Sequence, residues 1–424
     1  MPDFPTLANH RWLRFITLGV MYAAQGLPFG LFNISIPSWM ASQDYAAADI
    51  AWFIGIVSLP WSLKLLAAPV MDRWTFLPMG YRRPWVMAAQ FGVMVSFLLM
   101  GLIPVELTWL AVAGFATNTF AATQDVAVDG MAIDILDAED RARANAFMFG
   151  GQFLGISLGS SGGGYALLYL GVPGLALLSA GLMLVILMFP ILLLERPGER
   201  QFPWSKGMAS PRQHTAESFF KVIWQTLKIL ALPASILLLL AQAGGRLAEG
   251  MVIAHLPIVL VQGMGLEDTT YNNYSTVGGV VSAIIGLLVS PWFDKINAHR
   301  AYWLTCTAFT VVILLIPYTL EAFPMATIVA HWITLHLMGI TLIATMMRFC
   351  RPEVAATQFA VYMAMANLGY SAGSFLYREV IEYLNNVEVM WFAGLLAGLA
   401  LPLWYLLLRN HMSETEPPGE PAQA

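Results

Sequence analysis

Residues 68–73 read APVMDR, and residues 290–295 read SPWFDK. Both hexapeptides fit the pattern x-P-x-x-D-[RK], they lie 222 positions apart, and each closes a long apolar stretch. A motif that recurs at corresponding places in a chain indicates an internal repeat. The sequence therefore predicts two similar halves, each with this motif near the end of its second apolar stretch.

The composition places the chain in a membrane. Of 424 residues, 58% are hydrophobic and 11% are charged, with a mean hydropathy of +0.67. Soluble domains are about 45–50% apolar and about 25% charged. This excludes a soluble enzyme and a disordered chain, and the net charge of −5 leaves no basic footprint for nucleic acid. We expect a polytopic membrane protein with the lipid bilayer as its main partner.

The apolar stretches are long enough to be helices that cross the membrane, since a span needs roughly 20 mostly apolar residues. Alternation with a period of two is absent, which favours helices over a transmembrane barrel. The twelve predicted spans are 15–40, 50–71, 84–103, 107–134, 142–169, 173–194, 229–262, 271–292, 301–320, 325–347, 354–381 and 389–408. The fold class is thus all-α, with twelve transmembrane helices in two six-helix bundles.

The domain organisation follows from the longest polar stretch. Residues 1–194 are predicted to form the first bundle and residues 228–410 the second. Residues 195–227 form a central loop whose second part is an amphipathic helix on the membrane surface. The polar, Pro-rich tail 411–424 is predicted to be disordered.

The cations indicate the orientation. Eighteen of the 21 Lys and Arg lie in alternate loops, and the opposite loops carry none. Because cytoplasmic loops are enriched in Lys and Arg, both termini and the central loop are predicted to be cytoplasmic.

Two of these loops carry candidate gating residues. An acid at a helix end beside several cations can form a network that latches two halves together and opens when it breaks. The alternative is that the cations only set the orientation. The gating candidates are Asp72, Arg73, Arg82, Arg83, Asp294 and Lys295.

Lys64, Asp125 and Asp129 are ionisable residues inside predicted spans, which makes them candidate functional residues. Lys64 precedes Asp72 by eight residues, and Asp129 precedes Asp137 by eight, so both should lie roughly 12 Å inside the cytoplasmic boundary. We expect Lys64 to pair with Asp129, with Asp125 one turn deeper. One carboxylate would then lack a cation and could carry a proton; a purely structural salt bridge is the alternative.

The seventh span offers Arg246 and Glu249, three residues apart on one helix face. The guanidinium fork of Arg246 suits an anionic group on a substrate, and Glu249 is a further candidate proton site. Other polar residues in the spans are candidate substrate contacts, although a membrane His is often only a structural hydrogen-bonding group. They are Gln25, Asn33, Asn118, Gln124, Gln242, His331 and His336.

Several stretches resemble one branch of the major facilitator superfamily. Residues 24–28 (AQGLP), 59–73 (LPWSLKLLAAPVMDR) and 122–130 (ATQDVAVDG) look like those of AmpG-type muropeptide permeases and of acetyl-coenzyme A transporters. Arg246 and Glu249 are similar to the Lys-x-x-Asp of these permeases. In the tenth span these permeases carry a Glu-Asn pair, whereas this chain has Trp332 and Ile333 at those positions.

The resemblance implies a twelve-helix permease of the bacterial inner membrane that imports cell-wall sugar-peptides. Its cavity would be lined by spans one, four, seven and ten. The proton motive force would drive it, without an enzymatic reaction or cofactor, and it would act as a monomer. Siderophores and acyl-coenzyme A-like anions are alternative substrates, and a non-transporting receptor is a different class. No HExxH or CxxC motif occurs in the sequence, so no metal site is predicted.

Overall fold

The computed structural model describes residues 5–208, 219–293, 295–296, 298–350 and 355–415, which form an all-helical protein. Within these residues the only β pairing is one isolated bridge between Thr6 and Leu194. The helical class predicted from the sequence is therefore confirmed.

The first half begins with a rod built from α1 (Arg11–Gly30), a π-helical turn (Leu31–Ser35) and α2 (Ile36–Ser42). Pro28 lies just before the π-helical turn and removes one helical hydrogen bond there. The other helices of this half are α3 (Ala47–Ser58), α4 (Pro60–Leu63), α5 (Ala67–Arg73), α6 (Arg83–Met100), α7 (Leu107–Ile135), α8 (Arg141–Ser157) and α9 (Gly163–Leu192).

Short irregular turns connect some of these helices into longer rods. A 3₁₀ turn (Lys64–Leu66) joins α4 to α5, and a π-helical turn (Leu158–Gly162) joins α8 to α9. Gly171 interrupts α9 with φ of 64°. A residue with a side chain rarely adopts that angle, so glycine permits the sharp turn between the predicted fifth and sixth spans.

The second half repeats this plan after α10 (Phe219–Leu230). A rod of α11 (Pro233–Pro257) continues into a π-helical turn (Ile258–Gly263), again just after a proline. The remaining helices are α12 (Asp268–Phe293), α13 (Ala298–Thr319), α14 (Pro324–Phe349), α15 (Ala355–Val380) and α16 (Asn386–Thr415).

Nine stretches of the described chain are long and apolar enough to cross a membrane. One of them, Arg143–Leu192, contains both predicted spans 142–169 and 173–194. The helices α7 and α15, which coincide with two further predicted spans, are not among the nine. The exact number of twelve spans stays a prediction.

Glycines bring the helices of each half into close contact. A Cβ at Gly155 of α8 would overlap the carbonyl oxygen of Ala23, and one at Gly26 would overlap the carbonyl oxygen of Gln152. In the second half, Gly373 of α15 meets the carbonyl oxygen of Leu247 in the same way. Glycine at these positions therefore lets the helices approach each other closely.

The two halves contact each other near the end that carries the loops 43–46 and 264–267, which we call the cation-poor end because these loops contain no Lys or Arg. Gln262 donates to the carbonyls of Ala41 and Tyr45 at 3.1 and 2.9 Å. Ser38 donates to Asn272 Oδ1 at 2.7 Å. These polar contacts hold the halves together on the side opposite to the Arg-rich loops.

Candidate functional site

The first charged cluster lies inside the first half. Lys64 Nζ donates to Asp125 Oδ2 at 2.7 Å, and the two side chains are 21% and 8% exposed. The ammonium also lies 5.7 Å from the ring centre of Trp61, whose indole donates to Asn118 Oδ1 at 3.1 Å. An unpaired Lys at the centre of a spanning helix costs at least about 3 kcal/mol, so the ion pair is what makes this cation tolerable.

The prediction that Lys64 pairs with Asp129 is wrong in its choice of carboxylate. The hydroxyl of Tyr22 in α1 donates to Asp129 Oδ1, while the ammonium bonds Asp125 one turn deeper. A 3₁₀ turn rises about 2.0 Å per residue instead of about 1.5 Å, so the turn at Lys64–Leu66 places Lys64 deeper than a straight helix would. Asp129 still interacts electrostatically with Lys64.

Tyr22 is a member of this cluster that sequence reasoning missed. Tyr22 lies three residues before Gln25 on α1, so the two side chains share one face of the helix. This shared face with a candidate residue is the sequence pattern that could have indicated Tyr22. With Tyr22 included, the cluster contains one cation, two carboxylates and one phenol donor. One negative charge of the two ionised carboxylates is therefore not balanced by Lys64.

The second charged pair lies on α11 in the second half. Arg246 donates through Nη1 to Glu249 Oε2, so the predicted pair forms. Arg246 Nε also donates to the carbonyl of Ala366 in α15 at 3.0 Å. The side chains of Arg246 and Glu249 are only 17% and 10% exposed. The pair is therefore mostly withdrawn from solvent and balanced within itself.

Tyr370 of α15 connects this second pair to the first half, and sequence reasoning missed it. The guanidinium carbon of Arg246 lies 5.6 Å from the centre of the Tyr370 ring. The Tyr370 hydroxyl donates to Asn33 Oδ1 at 3.0 Å. The same oxygen accepts from Ser58 at 3.1 Å. Asn33 Oδ1 therefore joins three helical segments, while its Nδ2 donates to the carbonyl of Phe29 in α1 at 3.3 Å.

The polar candidates of the first, fourth and seventh predicted spans are all buried. Gln124 and Gln242 make only long hydrogen bonds of 3.5 Å, to the carbonyls of Met21 and Tyr362. Gln25 has no partner for either side-chain atom among the described residues. The expectation that these residues line an accessible cavity is not met in this conformation, and all are at most 3% exposed: Gln25, Asn33, Asn118, Gln124 and Gln242.

The two histidines of α14 face different surroundings. His331 is fully buried beside Phe309 of α13, and within the described part of the chain neither ring nitrogen has a hydrogen-bond partner. In this structure the ring of His331 packs into the second half, and its substrate contact stays a prediction. His336 hydrogen-bonds Ser282 and lies 5.0 Å, ring centre to ring centre, from Phe153 of the first half. Only His336 lies between the halves.

The predicted gating residues Arg82 and Arg83 make their described contacts within the first half, and not between the two halves. Arg83 is 1% exposed and donates to five main-chain carbonyls, of which Pro190 and Arg200 are at 2.6 and 2.9 Å. In this structure its guanidinium is fully used to hold the loop after α9, and a gating role for Arg83 stays a prediction. Arg82 pairs with Asp134 of α7 at 3.3 Å.

The other gating candidates take no described part in a latch between halves. Arg73 is exposed and stacks on Trp74, with 5.5 Å between the guanidinium and the ring centre. Lys295 is exposed. The side chain of Asp72 and the whole of Asp294 lie outside the described residues.

Glu195 anchors the start of the central loop to the first half. Its Oε2 accepts from the main-chain amides of Arg82 and Arg83 at 3.0 and 3.2 Å. Burial, and then the negative charge of Glu199, raise the pKa of the Glu195 carboxyl above its ordinary range. The hydrogen bonds from the two main-chain amides act in the opposite direction and lower that pKa. The loop is therefore bound to the cationic end of the first half from its first residue.

Two helical halves, each with a buried charged pair in its interior, define the class of this protein. The family model described as Major Facilitator Superfamily matches residues 18–374. The chain belongs to the major facilitator superfamily. It is therefore a multi-pass membrane protein of a transporter family.

Within the superfamily, the predicted resemblance to muropeptide permeases is confirmed. The chain is 25% identical over 385 residues to the anhydromuropeptide permease of Escherichia coli (strain K12), covering 84% of this chain and 72% of that protein. It is 27% identical over 172 residues to the putative transporter AmpG 1 of Rickettsia prowazekii, which covers 38% of this chain and 39% of that one.

Two solved structures have the same fold. The POT family transporter PepTSo superposes with a TM-score of 0.73 at 12% identity, covering 95% of this chain and 99% of PepTSo. The nucleoside transporter NupG superposes with a TM-score of 0.69 at 10% identity, covering 93% and 99% of the two chains. At these identities the likeness concerns the arrangement of helices alone.

Proposed function

We propose that this protein is a proton-coupled secondary transporter that imports a sugar-peptide of the muropeptide type by alternating access. The observation that carries the proposal is one buried acid–base pair in each half, Lys64–Asp125 and Arg246–Glu249. Ionisable residues within spanning helices are rare and typically mark substrate and ion pathways. The similarity to the anhydromuropeptide permease supports the substrate class.

The proposed topology has twelve spans and both termini in the cytoplasm of a bacterial cell, with the protein in the inner membrane. The loops 43–46 and 264–267 then face away from the cytoplasm. The contacts of Gln262 and Asn272 at that end close it.

The proposed coupling begins at Glu249. When Glu249 is ionised, its carboxylate holds Arg246 and competes with an anionic substrate group for the guanidinium. A proton on Glu249 breaks this ion pair and frees the guanidinium fork for a carboxylate or phosphate. The proton and the substrate then enter together, with no cofactor beyond the proton motive force.

Asp125 and Asp129 form the second proposed proton site. Lys64 balances one of the two carboxylates, so the cluster gains electrical neutrality when it takes up one proton. Tyr22 donates to Asp129 and fixes the orientation of that carboxylate. Whether Lys64 also contacts substrate is tested with the same transport measurements.

The proposal is tested in proteoliposomes with labelled anhydromuropeptide as the probe. We expect the wild-type protein to accumulate it uphill under an imposed pH gradient and to exchange it across the membrane without one. The variant Glu249→Gln removes the titrating group and keeps the size of the side chain. It should lose uphill accumulation by at least about tenfold, the usual scale for loss of a positioned proton-transfer group, while exchange continues.

Glu267→Gln is the matched control, because Glu267 is an exposed acid in the loop 264–267. It should accumulate substrate as the wild type does. Uphill accumulation by Glu249→Gln would disprove the proton assignment. Uptake of a labelled ferric chelate or acyl-coenzyme A, without uptake of labelled anhydromuropeptide, would assign that substrate class instead. Binding with no exchange at all would indicate a receptor.

A further inference from the structure

The helix α15 has polar contacts to both halves within one short segment. Its Ala366 carbonyl accepts from Arg246 of the second half at 3.0 Å. The next residue, Asn367, donates to the carbonyl of Trp61 in the first half at 3.1 Å. Tyr370, one turn further along, contacts Arg246 through its ring and Asn33 through its hydroxyl. This segment therefore lies between the charged pair and the contact surface of the halves.

We infer that Tyr370 is a positioning residue that ties the charge state of the Arg246–Glu249 pair to the contact between the two halves. The inference rests on the proposed function of Glu249. It adds a residue that neither exchanges a proton nor binds substrate. Its hydroxyl joins two helices that move apart when the cation-poor end opens.

The physical basis is that one side chain makes two different contacts. The ring face attracts the guanidinium of Arg246 by a cation–π interaction, and the hydroxyl is one of two donors to Asn33 Oδ1. Tyr370 is only 5% exposed, so both contacts are largely shielded from water. When Glu249 loses its charge, Arg246 is released and can leave the ring. The ring then no longer has both contacts to hold it in place.

Asn33 is well placed to transmit this change. It lies in the π-helical turn Leu31–Ser35 of the first half. Ser35 of the same turn donates to the carbonyl of Gly159 at 2.9 Å. Gly159 lies next to Ser160, which donates to the main-chain carbonyl of Asn272 at 3.0 Å. A continuous set of contacts thus joins Tyr370 to the contacts that close the cation-poor end.

The test measures the opening of that end directly. Spin labels are placed at Gln43→Cys and Glu267→Cys, two exposed positions on opposite halves at the cation-poor end. Cys350 is replaced by Ser, and Cys306 can remain because it is fully buried. The distance between the labels is recorded by pulsed electron spin resonance for four proteins: the labelled parent, Glu249→Gln, Tyr370→Phe, and the double variant.

We expect Glu249→Gln to raise the population with the longer distance about fivefold or more, the lower limit of typical coupling between sites. In the Tyr370→Phe background the same substitution should change that population less than about twofold. The hydroxyl that transmits the effect to Asn33 is then absent. Phe keeps the ring and its volume, so the packing is preserved.

Tyr377→Phe is the matched control. Tyr377 lies two turns further along α15, and its hydroxyl bonds His255 within the second half at 3.1 Å. In this background Glu249→Gln should keep its full effect. An equal response to Glu249→Gln with and without the Tyr370 hydroxyl would overturn the inference, and so would the absence of any response in the parent.

The distance measurement does not depend on transport. If uphill accumulation fails but the distances respond as expected, the proposed proton coupling is wrong and the role of Tyr370 stands. If accumulation depends on Glu249 but the distances do not depend on Tyr370, the inference fails and the proposed function stands.

Discussion

Lys64 has its ammonium 2.7 Å from Asp125 Oδ2 and 5.7 Å from the ring centre of Trp61. Removal of either charge leaves the other inside the membrane without its partner. A broken buried pair is costly because the remaining ion has lost both water and its counter-charge. The identity of the partner carboxylate is therefore measurable as stability, without any transport assay.

The variant Lys64→Met should destabilise the protein by about 3–5 kcal/mol, the usual cost of removing one partner of a buried pair. The measurement is the melting temperature of the purified protein in detergent. Adding Asp125→Asn should restore most of the stability, because both charges are then gone. Adding Asp129→Asn instead should restore little. The reverse pattern would show that Lys64 is paired with Asp129.

At the scale of elements, the pair α1–α8 depends on glycine at the contact. Gly151 and Gly155 of α8 face the carbonyl oxygens of Gly19 and Ala23 in α1. Main-chain atoms cannot move aside as a flexible side chain can. Any added carbon therefore forces the two helices apart along their contact.

Gly155→Ala should lower the free energy of unfolding by about 1–3 kcal/mol, the usual cost of overpacking. The control is Gly150→Ala on the same helix, because nothing lies within 4 Å of a Cβ at that position. It should leave the stability unchanged or raise it slightly, since Ala is the better helix former. Thermal unfolding in detergent compares the two. Equal destabilisation by both variants would exclude the close contact as the cause.

At the scale of the whole molecule, Asn272 of α12 is a central polar contact between the halves. It accepts from Ser38 through its side chain at 2.7 Å and from Ser160 through its carbonyl at 3.0 Å, and it is fully buried. Neighbouring Asn273 is half-buried and donates to the hydroxyl of Tyr165 at 3.0 Å in an exposed hydrogen bond at the edge. The two adjacent side chains thus differ in burial while both join the halves.

Asn272→Ala should raise the open population of the cation-poor end roughly two- to tenfold, because it removes one buried hydrogen bond from the closed conformer. Impermeant maleimide labelling of Ala41→Cys from outside the cell measures this opening, because Ala41 is buried at the closed end and only its main-chain carbonyl makes a contact there. Asn273→Ala should change the labelling rate much less, since water replaces the lost contact at the exposed edge. A larger effect of Asn273→Ala would place the closing contact at the edge instead.

Hydropathy, charge and repetition are local properties, and they determined the class of this protein without any structure. The apolar stretches indicated helices in a membrane, and the hexapeptides at 68–73 and 290–295 indicated two halves. All of these depend on composition along one segment, so each could be evaluated from that segment alone.

The tertiary structure decided which side chains meet. Lys64 meets Asp125 instead of Asp129 because a 3₁₀ turn changes its depth and Tyr22 occupies the other carboxylate. Tyr370 reaches Asn33 over more than 300 positions of sequence. Short 3₁₀ and π-helical turns have no clear periodic signal, and contacts between distant helices depend on every helix in between. For these reasons the composition of the buried clusters could be proposed from the sequence, but their pairing could not.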